Sequence, residues 1–147
     1  MTQKFISHRG NLNGRNIATE NHPKQIEHVL NLGIDCEIDV WYKNGRFLLG
    51  HDIPQFKVDV DFLQQKGLWC HAKNIDALLK MSKKDIHFFW HENDKLTLTS
   101  QGYIWAYPNK IGIKNSIAVL PEIYKTDISQ CYGVCCDNFE GFNLNIV

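Results

Sequence analysis

Short apolar runs that end in polar or ionisable residues recur along the chain: "FISHRG", "IDCEIDV", "RFLLGHD", "LWCHAKN", "HFFWHEN", "YIWAYPN", "SIAVLPE" and "YGVCCDN". Their length and their β-branched and aromatic content predict strands. Chemistry-bearing side chains at the carboxyl ends of strands are the pattern of α/β barrels and doubly wound sheets. Helical spacing is confined to a few segments. In residues 21–33, "NHPKQIEHVLNLG", Ile26, Val29 and Leu30 share a face, Asn21 reads as the N-cap, Pro23 falls in the first turn and Gly33 stops the helix. Residues 74–84, "NIDALLKMSKK", read as a second helix capped by Asn74, with Ile75, Leu78 and Leu79 aligned and lysines at its end. "VDVDFLQQKG" predicts a short helix before Gly67, and residues 124–130 one helical turn.

Eight strands suit a barrel, but a complete (β/α)8 barrel typically takes ~250 residues and rarely fewer than ~200, and the chain has 147. The expected fold is therefore α/β: a reduced, irregular TIM-type (β/α)8 barrel with most outer helices shortened or missing, as one domain over residues 1–147. Sheet left bare by missing helices would need a cover, and a second copy of the chain is the expected one. One connection has a sharper geometry. The seven residues between Asp39 and Phe47 are too few for a parallel crossover, and Asn44-Gly45 signals a hairpin. If Tyr42 and Arg46 close a turn with a bulged glycine, Glu37 pairs with His51, and Glu37, Asp39 and His51 share a face. A shift of one residue would put His51 on the other face.

Sixteen Lys and Arg balance sixteen Asp and Glu, which leaves no electrostatic footprint for nucleic acid. No apolar run is long enough to span a membrane, and "MTQKF" lacks the apolar segment of a signal peptide, so a cytoplasmic location is expected. The five cysteines show no CxxC spacing and read as reduced thiols, two or three of them filling strand interiors.

Glu37 and Asp39 stand at i and i+2, about 7 Å apart on one strand face. They repel unless something positive lies between them, and a divalent cation with oxygen ligands, Mg²⁺ or Ca²⁺ before zinc, is the natural occupant. His8 and His51 each end a run, and Arg9 is forked and permanently charged. Two histidines, two carboxylates and an arginine within fifty residues suit phosphoryl transfer. His71 and Lys73 share a strand face with Trp69, and either could belong to the same site. Trp41, Trp90, Trp105 and Tyr107 read as core. His87, His91, Glu92, Glu122 and Asp137 also sit near strand ends, and nothing in the sequence selects among them.

"SHRGN…ATEN…LGIDCEIDVWYKNGRFLLGHD" resembles the glycerophosphodiester phosphodiesterase family, within the phosphatidylinositol-phospholipase-C-like barrels. The shared pattern is HRG, then E-N, E-x-D-V, a turn like Lys-Asp-Gly, and HD, in order over residues 5–52. "YGVCCDN" is similar to the family's last strand. The resemblance implies metal-dependent cleavage of a small-molecule glycerophosphodiester to glycerol 3-phosphate and an alcohol. It implies His8 and His51 as the acid/base pair, Glu37 and Asp39 as metal ligands, Arg9 against the phosphate, and Glu20 as support for the first loop by pairing with Arg9. Where the family's fourth strand ends Glu-x-Lys, this chain has His71-Ala72-Lys73. His71 then stands at the third ligand position, which opens the site to Mn²⁺ or Zn²⁺, and Lys73 at a phosphate-binding one. The segment after "HD" is short, so the glycerol pocket is expected to differ. A relative that holds a phosphate ligand without turning it over is the alternative expectation.

Overall fold

The computed structural model describes residues 3–108 and 112–142; Asn109, which ends "YIWAYPN", lies outside them. All eight apolar runs form strands: β1 (Lys4–His8), β2 (Asp35–Lys43), β3 (Arg46–Leu49), β5 (Leu68–Ala72), β6 (Phe88–Phe89), β8 (Ile104–Ala106), β9 (Ser116–Val119) and β10 (Gly133–Cys136). Two further strands, β4 (Phe56–Val58) and β7 (Leu96–Leu98), are too short to carry a periodic signal. Among the described residues four helices intervene: α1 (Pro23–Asn31), α2 (Val60–Leu63), α3 (Ile75–Met81) and α4 (Pro121–Tyr124). The sheet is mixed and curls into a half-barrel. Seven strands run parallel in the order β8-β9-β10-β1-β2-β5-β6, while β3, β4 and β7 pair antiparallel at the margins. No described helix is long and apolar enough to cross a membrane.

Strand alternation divides the apolar side chains between two cores. Cys36, Ile38, Val40 and Cys70 pack outward with Ile26 and Val29 of α1 and Ala77 and Met81 of α3. Ile6, Trp69, Phe89, Trp105, Ile117, Val119 and Cys135 fill the concave side. Cys36, Cys70, Cys135 and Cys136 are all buried free thiols in strands, which is more than the two or three expected.

His22, not Asn21, caps α1, its Nδ1 accepting from the Lys24 amide. Of the expected face of α3, Leu78 packs partly buried against the core beside Ala77 and Met81, while Ile75 and Leu79, four residues apart on the outer stripe, stay 66% and 53% exposed. The helical turn expected at 124–130 comes earlier, as α4, where Pro121 supplies a helix-ready φ at the first turn. The hairpin forms at Asn44-Gly45, but as a two-residue turn pairing Lys43 with Arg46 and Tyr42 with Phe47. No bulge intervenes, because Asn44 and Gly45 both take the left-handed conformation that such a tight turn needs. The register is therefore one residue away from pairing Glu37 with His51.

Candidate active site

Two residues beyond Ile6, on the same face of β1, comes His8; two beyond Trp69 on β5 comes His71. The concave core thus turns polar at the carboxyl ends of its strands. Parallel pairing sets His8 beside Glu37 and Asp39 beside His71. Together with Arg9, His51 and Lys73 these residues line one cavity of about 460 Å³.

His51 reaches this cavity despite the register. The chain leaves the sheet after Leu49: the Gly50 amide donates to the Asp39 carbonyl at 3.1 Å, and the Gln55 amide to the Leu49 carbonyl at 2.8 Å. A side chain at Gly50 would run into the Ile53 carbonyl oxygen. That tight reversal swings His51 back, its Nδ1 3.4 Å from Asp39 Oδ2.

The two carboxylates sit at the centre, 3% and 1% exposed. Asp39 Oδ2 accepts a hydrogen bond from Asn21 Nδ2 at 2.9 Å and forms an ion pair with the Arg9 guanidinium, whose Nε lies 3.3 Å away without hydrogen-bond geometry. Asn21 Oδ1 in turn accepts the Asp39 amide at 2.9 Å. Burial would raise the Asp39 pKa, but the His51 and His71 contacts and the Arg9 charge outweigh it and hold this carboxyl well below the usual range. Glu37 goes the other way: burial, then repulsion from Asp39, raise it against His8, His71 and Arg9. Glu37 Oε2 is buried and has no hydrogen-bond partner. A buried carboxylate oxygen without a donor is costly, and a cation there would satisfy it. One ligand atom each from Glu37, Asp39 and His71 lie within 4.8 Å of one another, so the donor set fits a metal ion.

Arg9 holds the left-handed conformation at φ 59°, unfavourable outside glycine. Its Nη1 lies 3.5 Å from Glu20 Oε2, as the resemblance implies, and its Nη2 donates to His51 Nε2 at 3.3 Å. Glu20 is 7% exposed and stands behind Arg9, outside the cavity wall, where Asn11 and Arg15 also donate to it. Its contacts are thus with Arg9 and the first loop. Lys73 Nζ is 4.0 Å from Asp39 Oδ1 at the cavity edge.

Geometry also selects a residue that sequence spacing left among several. Asp137, just past β10, accepts from His8 Nδ1 at 2.8 Å and from Asn11 Nδ2 at 2.8 Å. Burial disfavours the His8 imidazolium, yet the Asp137 bond and the Glu37 charge outweigh it and raise its pKa. Asp137 is itself held by Glu122, whose Oε1 accepts the Asp137 amide at 2.8 Å. Trp105 belongs to the concave core as expected and also borders the cavity, Trp90 packs partly buried against the outer core while lining the cavity, and only Tyr107, 51% exposed, departs from the core. No family model, no curated protein and no solved structure matches the chain.

Proposed function

We propose that this chain is a metal-dependent phosphodiesterase acting on a glycerophosphodiester-type substrate, as the sequence resemblance implies. The observation that carries this reading is the gathering of His8, His51, Arg9, Lys73 and the paired carboxylates around one cavity at the carboxyl ends of parallel strands. The curled sheet is read as a reduced TIM-type barrel, with seven parallel strands and few helices outside them.

In this mechanism the phosphate displaces Arg9 from His51 and takes the guanidinium and Lys73 as its charge partners. His8 Nε2 accepts the proton of the glycerol hydroxyl next to the phosphoester as its oxygen bonds to phosphorus. Asp137 fixes the His8 tautomer and stabilises the imidazolium that forms. His51 gives a proton to the alcohol oxygen as its bond to phosphorus breaks. The two histidines then exchange roles: His51 takes a proton from water, the water oxygen opens the cyclic phosphate, and His8 returns its proton to the glycerol oxygen. Glu37, Asp39 and His71 would hold the divalent ion, which supplies Lewis-acid stabilisation of charge on the phosphoryl oxygens.

Release of glycerol 3-phosphate from a panel of glycerophosphodiesters, with each divalent ion or with chelator, tests the proposal. Release that depends on a cation is the expected result. Binding of the diesters without release would give the alternative, a phosphate-ligand binding protein.

A further inference from the structure

The third corner of the proposed cation site is a nitrogen, and the surrounding structure fixes which nitrogen it is. His71 Nε2 lies 2.9 Å from the His91 carbonyl oxygen. A carbonyl oxygen only accepts, so Nε2 carries the ring proton and Nδ1 is the nitrogen turned toward the carboxylates, 3.3 Å from Asp39 Oδ1 and 3.9 Å from Glu37 Oε1. The ring plane is fixed as well: the imidazole stacks on Phe89 at 5.1 Å with an interplanar angle of 2°. Phe89 is itself 2% exposed against Trp105. A histidine whose far nitrogen donates to a backbone carbonyl while the near one faces two carboxylates has the outer support typical of a metal ligand. Glu37 Oε2, buried without a hydrogen-bond donor and 3.9 Å from His8 Nε2, marks independently an oxygen that a cation would satisfy.

We infer that this site takes a first-row transition-metal ion, with His71 Nδ1 as a direct ligand, in preference to Mg²⁺ or Ca²⁺. This rests on the cation of the phosphodiesterase reading but not on its turnover. The preference follows from ligand chemistry. Mg²⁺ and Ca²⁺ are hard ions that favour oxygen donors; Ca²⁺ takes six to eight of them, and Mg²⁺ keeps several waters. Two carboxylates and one imidazole offer a smaller set whose nitrogen suits transition ions such as Co²⁺ or Zn²⁺; Mn²⁺, the hardest of the series, is the most stringent case and the paramagnetic probe.

The test is pulsed electron paramagnetic resonance of the full chain loaded with Mn²⁺, beside calorimetric titrations with Mn²⁺, Mg²⁺ and Ca²⁺. Affinity order alone does not decide, since transition ions bind more tightly at most nitrogen-containing sites. The wild-type protein should show nitrogen coupling from a directly bound imidazole. His71→Glu should lose that coupling and gain about tenfold or more in Ca²⁺ affinity. A bound Mn²⁺ without nitrogen coupling in the wild type, or Ca²⁺ or Mg²⁺ binding as tightly as Mn²⁺, would overturn the inference. The wild-type spectrum decides even if His71→Glu does not fold. Failure to bind any of the three ions would overturn this inference and the cation of the proposed function together. Nitrogen coupling without diester cleavage would leave the inference standing and remove only the turnover.

Discussion

Asp137 Oδ1 lies 2.8 Å from His8 Nδ1, joining the first strand of the chain to the last described one, its parallel neighbour in the sheet. The bond leaves His8 Nε2 facing Glu37 and the cavity. Asp137→Asn should therefore slow diester cleavage by about 10²–10⁴-fold while the protein still folds. Steady-state rates beside thermal unfolding curves check this; full activity in the Asp137→Asn variant would remove Asp137 from the mechanism.

Asn21 spans the Asp39 backbone and side chain with two 2.9 Å bonds, from a left-handed backbone at φ 59°. Asn21→Ala removes both partners from a buried carboxylate residue and puts a less tolerant side chain in that conformation. A loss of about 2–3 kcal/mol in urea unfolding is expected.

At Gly50 a Cβ would fall inside contact distance of the Ile53 carbonyl oxygen. Gly50→Ala forces the Ile53 carbonyl to move and with it the turn that delivers His51. Activity should fall by an order of magnitude or more, with the sheet intact by circular dichroism.

Away from the site, burial lowers the His87 pKa from 6.5 to about 4. The unfolded chain binds a proton there below pH 6.5, whereas the folded chain resists it until near pH 4. Stability should thus drop as pH falls through this window, by roughly 1–2 kcal/mol from this residue. His87→Gln should flatten that part of the urea midpoint against pH; an unchanged slope would remove His87 as its source.

Eight of the ten described strands are legible in the sequence because each lies in a short apolar run, whereas β4 and β7 are too short to stand out. The site is legible because its histidines and carboxylates lie at the ends of those runs. What escapes depends on contacts distant in sequence. Asn21 looks like a helix cap, since capping and carboxylate binding use the same amide, and only the proximity of Asp39 decides between them. Asp137 is one acid among several near strand ends until β10 pairs with β1. The hairpin shows how a local error can leave a correct outcome: the register differs by one residue, yet the reversal at Gly50 restores His51 to the cavity. Helical spacing turns Ile75 and Leu79 inward, whereas Ala77 and Met81 pack against the sheet because the smaller alanine allows close approach.

His8 is the group on which the proposed cleavage turns. The most direct measurement is the release of glycerol 3-phosphate from glycerophosphodiesters by wild-type protein and His8→Ala, each stripped with chelator and reloaded with one divalent ion. The account predicts release by the reloaded wild type alone, and His8→Ala as stable as the wild type but without turnover. Substantial turnover by His8→Ala, or release by wild type that chelator does not diminish, would contradict it.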